Sequence, residues 1–263
     1  MIDDAAVAGL GAALYEARRS GIPIEPLTDA RPGLSVPDAY RIQRDLVARL
    51  LADGDRITGY KLGLTSGPMQ RMLGVDSPDF APVLASHVHS DGAEISAARF
   101  IHPRVEAEIA LVLGADLAGL DCTALDVARA VAGAAAAIEI VDSRIAGWRI
   151  KLADTIADLA SSGAIVLGSA VVPAVGFDLR LAGMVFSRDG EVIATGAGAA
   201  ALGSPLEATA WLVRTLADLG ESLRAGQFVM TGALHAATDI APGQRYRAEI
   251  DRLGPVSLRV TGA

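Results

Sequence analysis

Lysine is nearly absent from this chain: of 23 basic residues, only Lys61 and Lys151 are lysines. Asparagine is missing altogether, and alanine is abundant. A coding bias towards Arg and Ala accounts for such a composition. A lysine that persists against it is still worth locating, because an ammonium sheds its proton when desolvated and a guanidinium does not. Aromatic residues make up only 4%, which removes base-stacking platforms. No basic run occurs, and 31 acids outweigh 23 bases for a net charge of −8. Non-specific binding to nucleic acid therefore has no electrostatic support. The single cysteine, Cys122, cannot close an internal disulfide. It reads as a small packed hydrophobe in a reducing compartment. No run reaches the ~18 apolar residues of a membrane span. The longest candidate, 128–141, is broken by Arg129 and Glu139. The N-terminal segment is acidic and then amphipathic, unlike a signal peptide. The expectation is a cytoplasmic protein that engages neither membrane nor nucleic acid.

What is present suits an ordered domain. The 263 residues are 51% hydrophobic and 21% charged, enough for one large core. Residues 3–20 read as a helix closed by Gly21, and a Pro- and Gly-rich connector follows over 22–34. Ser35 caps a second helix that carries Pro37 in its first turn and ends at Gly54. This predicts a helical N-terminal lobe over 1–55 and a catalytic domain over 56–263. Strands are expected at 56–63, 83–88 and 104–113. A short helix is expected over 66–73, and an alanine-rich helix over 123–137 leads into a strand at 138–141. Residues 152–160 read as a helix. Met184 to Thr195 reads as a hairpin turning at Asp189-Gly190, and Ser204 opens another helix as a capping box. Strand-like runs at 226–231, 244–250 and 255–261 end the chain. Strands outnumber helices after residue 55 and adjacent pairs look antiparallel, which argues for an α+β fold with a curved sheet core. The glycines of 196–203 lack the spacing and the lysine of a phosphate loop.

The sharpest local pattern is Arg104-Val105-Glu106-Ala107-Glu108-Ile109. Alternate residues of a strand share a face, so Glu106 and Glu108 point together, with Cα atoms roughly 6.5–7 Å apart. Glu139 lies in another apolar run, Ile138-Glu139-Ile140, where a carboxylate without a partner is costly. Three acids on neighbouring strands make half an octahedral shell for Mg²⁺ or Mn²⁺. The alternative is a solvated sheet face neutralised by Arg104. Lys61 stands between Gly59 and Gly63, glycines that permit close approach of backbone or ligand. It reads as an acid–base group, as a carboxylate binder, or as an edge lysine that blocks strand pairing. His87 and His89 alternate on a strand, while His102 and His235 stand alone; all four read as structural or surface residues.

Several long segments occur in a consistent order: GYKLGLTS, MLGVDSPDF, PRVEAEIALVLG, IEIVDSRIAGWRIKLADTIAD, TGAGAAALGSP and AGQFVMTGALH. Together they resemble the 2-keto-4-pentenoate hydratases and the similar 4-oxalocrotonate decarboxylases of the fumarylacetoacetase-like superfamily. The resemblance covers nearly the whole chain. It implies a mixed β-roll core with helices packed outside and a Mg²⁺- or Mn²⁺-dependent site for 2-oxo acids. The family's metal-binding glutamates fall on Glu106, Glu108 and Glu139, and its active-site lysine on Lys61. Its proton-transfer aspartate falls on Asp79, where the decarboxylases tend to carry an apolar residue; this favours a hydratase. Met72-Leu73-Gly74-Val75 matches the family's cover over the site. That puts Leu73 and Val75, together with Ser161, beside the substrate.

Two departures stand out. Leu159 replaces an asparagine common in the family, removing an amide near the expected site. Ala81-Pro82 follows the PDF segment, where the family usually has glycine. The implied reaction is hydration of a 2-hydroxy-2,4-dienoate to a 4-hydroxy-2-oxo acid in aromatic catabolism. Decarboxylation of a 2-oxo-3-enedioate at the same metal is the alternative. An acylpyruvate hydrolase lacks a convincing His–Glu pair, and an inactive scaffold subunit would not need all three glutamates and Lys61. A homo-oligomer is expected, and a decarboxylase or aldolase of the same pathway is a candidate partner. Lys151 reads as structural, pairing with Asp142 or Asp154.

Overall fold

The computed structural model describes every residue except Pro68, Met69, Met72, Leu73, Val175 and Ala263. The chain opens with helix α1 (Asp4–Ser20), a single turn α2 (Leu27–Ala30) and helix α3 (Val36–Ala52). Local chemistry sets their ends. The Asp3 carboxylate accepts from Ala6 N, and Gly21 closes α1 at φ 69°. Ser35 caps α3 by accepting from Asp38 N. The apolar stripes of α1 and α3 pack on each other, and Ile42 and Leu46 join the main core. Gln43, buried, donates to the carbonyls of Phe80 and Ile156 and so ties α3 to the domain behind it.

The strands are β1 (Ile57–Gly63), β2 (Asp79–Leu84), β3 (Val88–Ser90), β4 (Ala93–Ser96) and β5 (Arg104–Leu113). After α4 (Ala124–Ala130) comes β6 (Val131–Val141), then α5 (Leu152–Ala157), β7 (Ser162–Leu167), β8 (Gly183–Arg188) and β9 (Glu191–Ala197). The chain ends with α6 (Pro205–Asp218), β10 (Phe228–Ala233), β11 (Thr238–Asp239), β12 (Arg245–Ile250) and β13 (Gly254–Thr261). One sheet runs β2-β1-β10-β5-β6-β7-β3 with β11 on β5, and the other runs β4-β13-β12-β8-β9. Both are mixed: β1–β10, β3–β7 and β4–β13 are parallel, and the other pairs antiparallel. The expected α+β fold with sheets enclosing the core is therefore present. One cluster joins Ile109, Leu111 and Ile138 of the first sheet to Phe186, Tyr246 and Val256 of the second. Asp189 (φ 52°) and Gly190 (φ 88°) make the β8–β9 turn, as their dipeptide predicts. No helix among the described residues is long and apolar enough to cross a membrane.

The expected alanine-rich helix over 123–137 is wrong beyond Ala130. Residues 134–137 belong to β6: β5 pairs with all four, and on the other edge Val172 bridges Ala134, Gly168 N donates to Ala136 O and β7 pairs with Ala137. Alanine's helix preference is only a few tenths of a kcal/mol over most residues. A central strand satisfies its backbone polar groups on both sides, and all four alanines are buried there. The strand expected at 83–88 is also misplaced. Asp79–Leu84 pairs with β1 as the sheet's edge, where Pro82 is tolerated, and 85–87 is a 3₁₀ turn. The helix expected over 152–160 stops at Ala157. The short helix expected over 66–73, and Leu73 with it, includes residues outside those described.

His87 is buried at 4% exposure and accepts from the Arg18 guanidinium through Nε2. Burial, then the charges of Arg18, Arg144 and Arg99, hold its pKa well below the usual 6.5. Below about 6.5 the unfolded chain takes up a proton that the folded one refuses. This group therefore lowers stability as pH falls from ~6.5, by up to about 1.4 kcal/mol per pH unit. His87→Gln should flatten the fall in urea midpoint between about pH 7 and about pH 5.5. An unchanged slope would remove His87 from the acid sensitivity of the fold.

Candidate metal and acid–base site

The β5–β6 register decides the site. Glu106 stands directly opposite Glu139, and Glu108 lies two residues along on the same face. One carboxylate oxygen from each of the three lies within 4.8 Å of the others. Like charges directly opposite are destabilising. Glu108 and Glu139 are fully buried, and Glu106 half so. Gly232 N donates to Glu108 Oε2 at 2.9 Å. Glu139 meets no donor apart from the Lys61 ammonium beside its Oε2. Burial first, and then Glu139, pushes Glu106 up to about 7. The same causes raise Glu108 well above the carboxylate range. Burial raises Glu139 as well, against the pull of Lys61.

Lys61 sits on β1 with its side chain 3% exposed. Its Nζ donates to Ala160 O at 2.8 Å and lies 3.3 Å from Glu139 Oε2. Burial disfavours its charge, but Glu139, Asp79, Glu108 and Glu106 outweigh burial and raise its pKa above the ordinary value. It is therefore an ammonium. Of the three expectations for this lysine, the blocking edge residue does not hold, because β1 is paired on both sides, with β2 and β10.

Asp79 starts β2 opposite Gly63. Its Oδ2 accepts from Thr155 Oγ1 at 3.2 Å, and its buried Oδ1 has no partner. Burial raises its pKa. A Cβ on Gly63 would stand 2.1 Å from Asp79 Oδ1. Gly63→Ala should therefore displace the carboxyl and lower kcat by roughly 10- to 10²-fold. Full activity in that variant would show that Asp79 needs no fixed position. Ser161 Oγ lies 3.4 Å from Thr155 Oγ1, which places it one hydroxyl away from Asp79.

A cavity of about 440 Å³ collects Lys61, Asp79, Glu106, Thr155 and Ser161 on one wall, beside Leu62, Val141, Ile150 and Leu234. At its rim Arg104 lies over the Trp148 ring at 4.6 Å and pairs with Asp239 at 2.9 Å. Arg104 thus spends its ion pair on Asp239 and offsets Glu106 only as the least of the charges acting on it. Of the expected substrate residues, Ser161 lines this cavity and Val75 does not. Leu159 is fully buried in the apolar core and contributes no wall. The Lys151 side chain makes no ion pair among the described residues; Asp154 accepts from its backbone N instead. Asp142 accepts from the N–H groups of Ile101 and His102.

Some of the site was not visible in residue types. Thr155 and the Ala160 carbonyl enter through backbone shape: Leu159, Ala160 and Ser161 all take positive φ, at 53°, 48° and 56°. Non-glycine residues there carry strain of order 1 kcal/mol each, and this turn brings Ala160 O to Lys61. His235 also lines the cavity, a position its isolation in the sequence did not suggest. Ala107 N donates to its Nε2, and Nδ1–H faces Ala236 O. It is a locked, neutral wall, and burial lowers its pKa.

The donor set is three oxygen ligands from one sheet face, with an orphaned buried Oε1 on Glu139. That fits a hard divalent cation. Paired sheets with a carboxylate trio beside a buried lysine define a class of protein. Residues 68–261 match the family described as fumarylacetoacetate (FAA) hydrolase, C-terminal, and the chain belongs to that family. Within it, the chain is 46% identical over 261 residues to a 2-keto-4-pentenoate hydratase from Burkholderia vietnamiensis (strain G4 / LMG 22486), covering 99% of this chain and 100% of the relative. It is 42% identical over 253 residues to a 2-hydroxyhexa-2,4-dienoate hydratase from Comamonas testosteroni, covering 95% and 96%. The fold matches 4-oxalocrotonate decarboxylase from Pseudomonas putida G7, complexed with magnesium and adipate, at TM-score 0.96 and 34% identity over 99% of both chains.

Proposed function

We propose that this chain is a divalent-metal-dependent hydro-lyase that adds water to a 2-hydroxy-2,4-dienoate and yields a 4-hydroxy-2-oxo acid. The observation that carries it is the trio Glu106, Glu108 and Glu139 set beside Lys61, which lies 3.3 Å from Glu139, with Glu106, Lys61 and Asp79 lining one cavity. Relatives named as hydratases of 2-keto-4-pentenoate and of 2-hydroxyhexa-2,4-dienoate support the substrate class. The three glutamates would hold Mg²⁺ or Mn²⁺. When bound, such an ion neutralises the substrate's C1 carboxylate and C2 oxygen and favours interconversion of enol and keto forms.

The chain's own groups then move protons. Two contacts of the Lys61 ammonium go to Ala160 O and Glu139, leaving one N–H for substrate. It delivers a proton to C5 of the dienol while the C2 hydroxyl gives up its own proton to Nζ, which leaves a conjugated ketone and restores the ammonium. Asp79 presents one oxygen fixed by Thr155 and one without a partner. That second oxygen takes a proton from the water whose hydroxyl adds at C4, and the same carboxyl then passes that proton to C3. Ser161 holds the carboxylate end, and the apolar wall excludes other water.

The test is loss of ultraviolet absorbance of freshly generated 2-hydroxypenta-2,4-dienoate, with and without Mg²⁺. Mass spectrometry should show the gain of one water. Decarboxylation is the second reading, favoured by the 0.96 TM-score match. Carbon dioxide release from a 2-oxo-3-enedioate, with no hydration of the dienoate, would replace the first reading with the second.

A further inference from the structure

A second cavity, of about 320 Å³, shares no lining residue with the first. Four arginines line it from three parts of the chain: Arg18 and Arg19 at the end of α1, Arg99 before β5 and Arg144 after β6. Arg19 donates to the Tyr15 hydroxyl. Arg144 is fully engaged. Its Nε donates to Asp158 Oδ1 at 2.5 Å, and its other nitrogens donate to Asp158 O and Ser162 O. Arg18 donates only to neutral acceptors, Ser162 O and His87 Nε2. Arg99 is exposed and makes no ion pair among the described residues. The one acid on the wall, Asp142, accepts from backbone N–H groups.

Positive charge is thus in excess, and acceptors are missing beside it. Because His87 Nε2 accepts from Arg18, its proton resides on Nδ1. That Nδ1 is buried and has no partner, nor has Ser162 Oγ; both residues lie behind Arg18 and do not line the cavity. The depressed pKa of His87, with the three arginines named after burial among its causes, reports the same field.

We propose that this cavity binds a small oxyanion, a carboxylate or a phosphate, between Arg18 and Arg99. Guanidinium forks suit both through paired N–H donors. The position has a consequence for the catalytic cavity. Arg18 and Arg144 share Ser162 O, and Arg144 holds Asp158. These two residues flank the strained 159–161 turn whose Ala160 carbonyl supports Lys61. A bound anion braces that turn from outside the site of reaction.

Thermal unfolding of the Mg²⁺-loaded protein tests this, with inorganic phosphate and acetate as separate probes and ionic strength matched by NaCl. At about ten times its dissociation constant a binding probe should raise Tm saturably by roughly 3–5 °C. Arg99→Gln, at an exposed position with no hydrogen bond to lose, should weaken the apparent affinity about tenfold or more. Arg224→Gln, on another surface, should leave it unchanged. Glu106→Gln, which removes a proposed metal ligand, should keep the shift and so separate it from anion binding at the metal. A rise with phosphate alone assigns a phosphoryl ligand, and a rise with both assigns oxyanions generally. No rise beyond the NaCl control, or an equal rise in Arg99→Gln, overturns the proposal.

Discussion

Lys61→Ala should lower turnover of the dienoate by about 10²–10⁴-fold, the usual contribution of a positioned acid–base group. The loss should fall on kcat, with Mn²⁺ binding retained. Lys61 is not among the carboxylates, and its removal leaves the trio more negative towards a cation. Lys61→Arg should not rescue. The slot is flanked by Gly59 and Gly63, whose missing Cβ atoms already face Phe228 O at 2.2 Å and Asp79 Oδ1 at 2.1 Å. A guanidinium is bulkier and does not release a proton. Circular dichroism and a Mn²⁺ titration would verify folding and metal loading before rates are compared. Nearly full activity in a folded, metal-loaded variant would remove Lys61 from the chemistry.

The rarity of lysine drew attention to a residue that lies among buried acids, but not for a reason that composition can supply. Lys61 and Lys151 are equally rare survivors. One lies buried against four acids; the other has no ion pair among the described residues. Position within a glycine-flanked strand separated them. Glu106 and Glu108 were legible because a strand repeats every two residues, and Glu139 because an acid inside an apolar run must answer for its burial. Their convergence needed only the antiparallel register of β5 and β6. Thr155, the Ala160 carbonyl and Gly63 were not legible. Their roles depend on a left-handed turn and a strand pairing whose partners lie far apart in the chain. The alanine run failed for a related reason. Propensity is local and small, whereas a central strand is set by the two strands that come to flank it.

The same register predicts opposite effects of one substitution in two states of the protein. Glu106→Gln should reduce Mn²⁺ affinity at least about 10²-fold, because an amide oxygen carries no charge and one of three anionic donors is gone. Dienoate turnover at limiting metal should fall in step. In the metal-free protein the substitution should instead stabilise. Glu106 faces Glu139 across the ladder, and its folded pKa of about 7 lies above the ordinary 4.5. A raised carboxyl pKa means that stability is fully present below the unfolded value and is lost as pH rises through the folded one. At about pH 8 the wild-type side chain is ionised in a buried place and against a like charge, a cost of roughly 3 kcal/mol that glutamine does not carry. Chelator-treated Glu106→Gln should therefore melt a few degrees above chelator-treated wild type at that pH. Adding Mn²⁺ should reverse the order, since the cation stabilises only the protein that binds it. If the variant is less stable both with and without metal, the three carboxylates are not held together against their own repulsion, and the cluster is not a metal site.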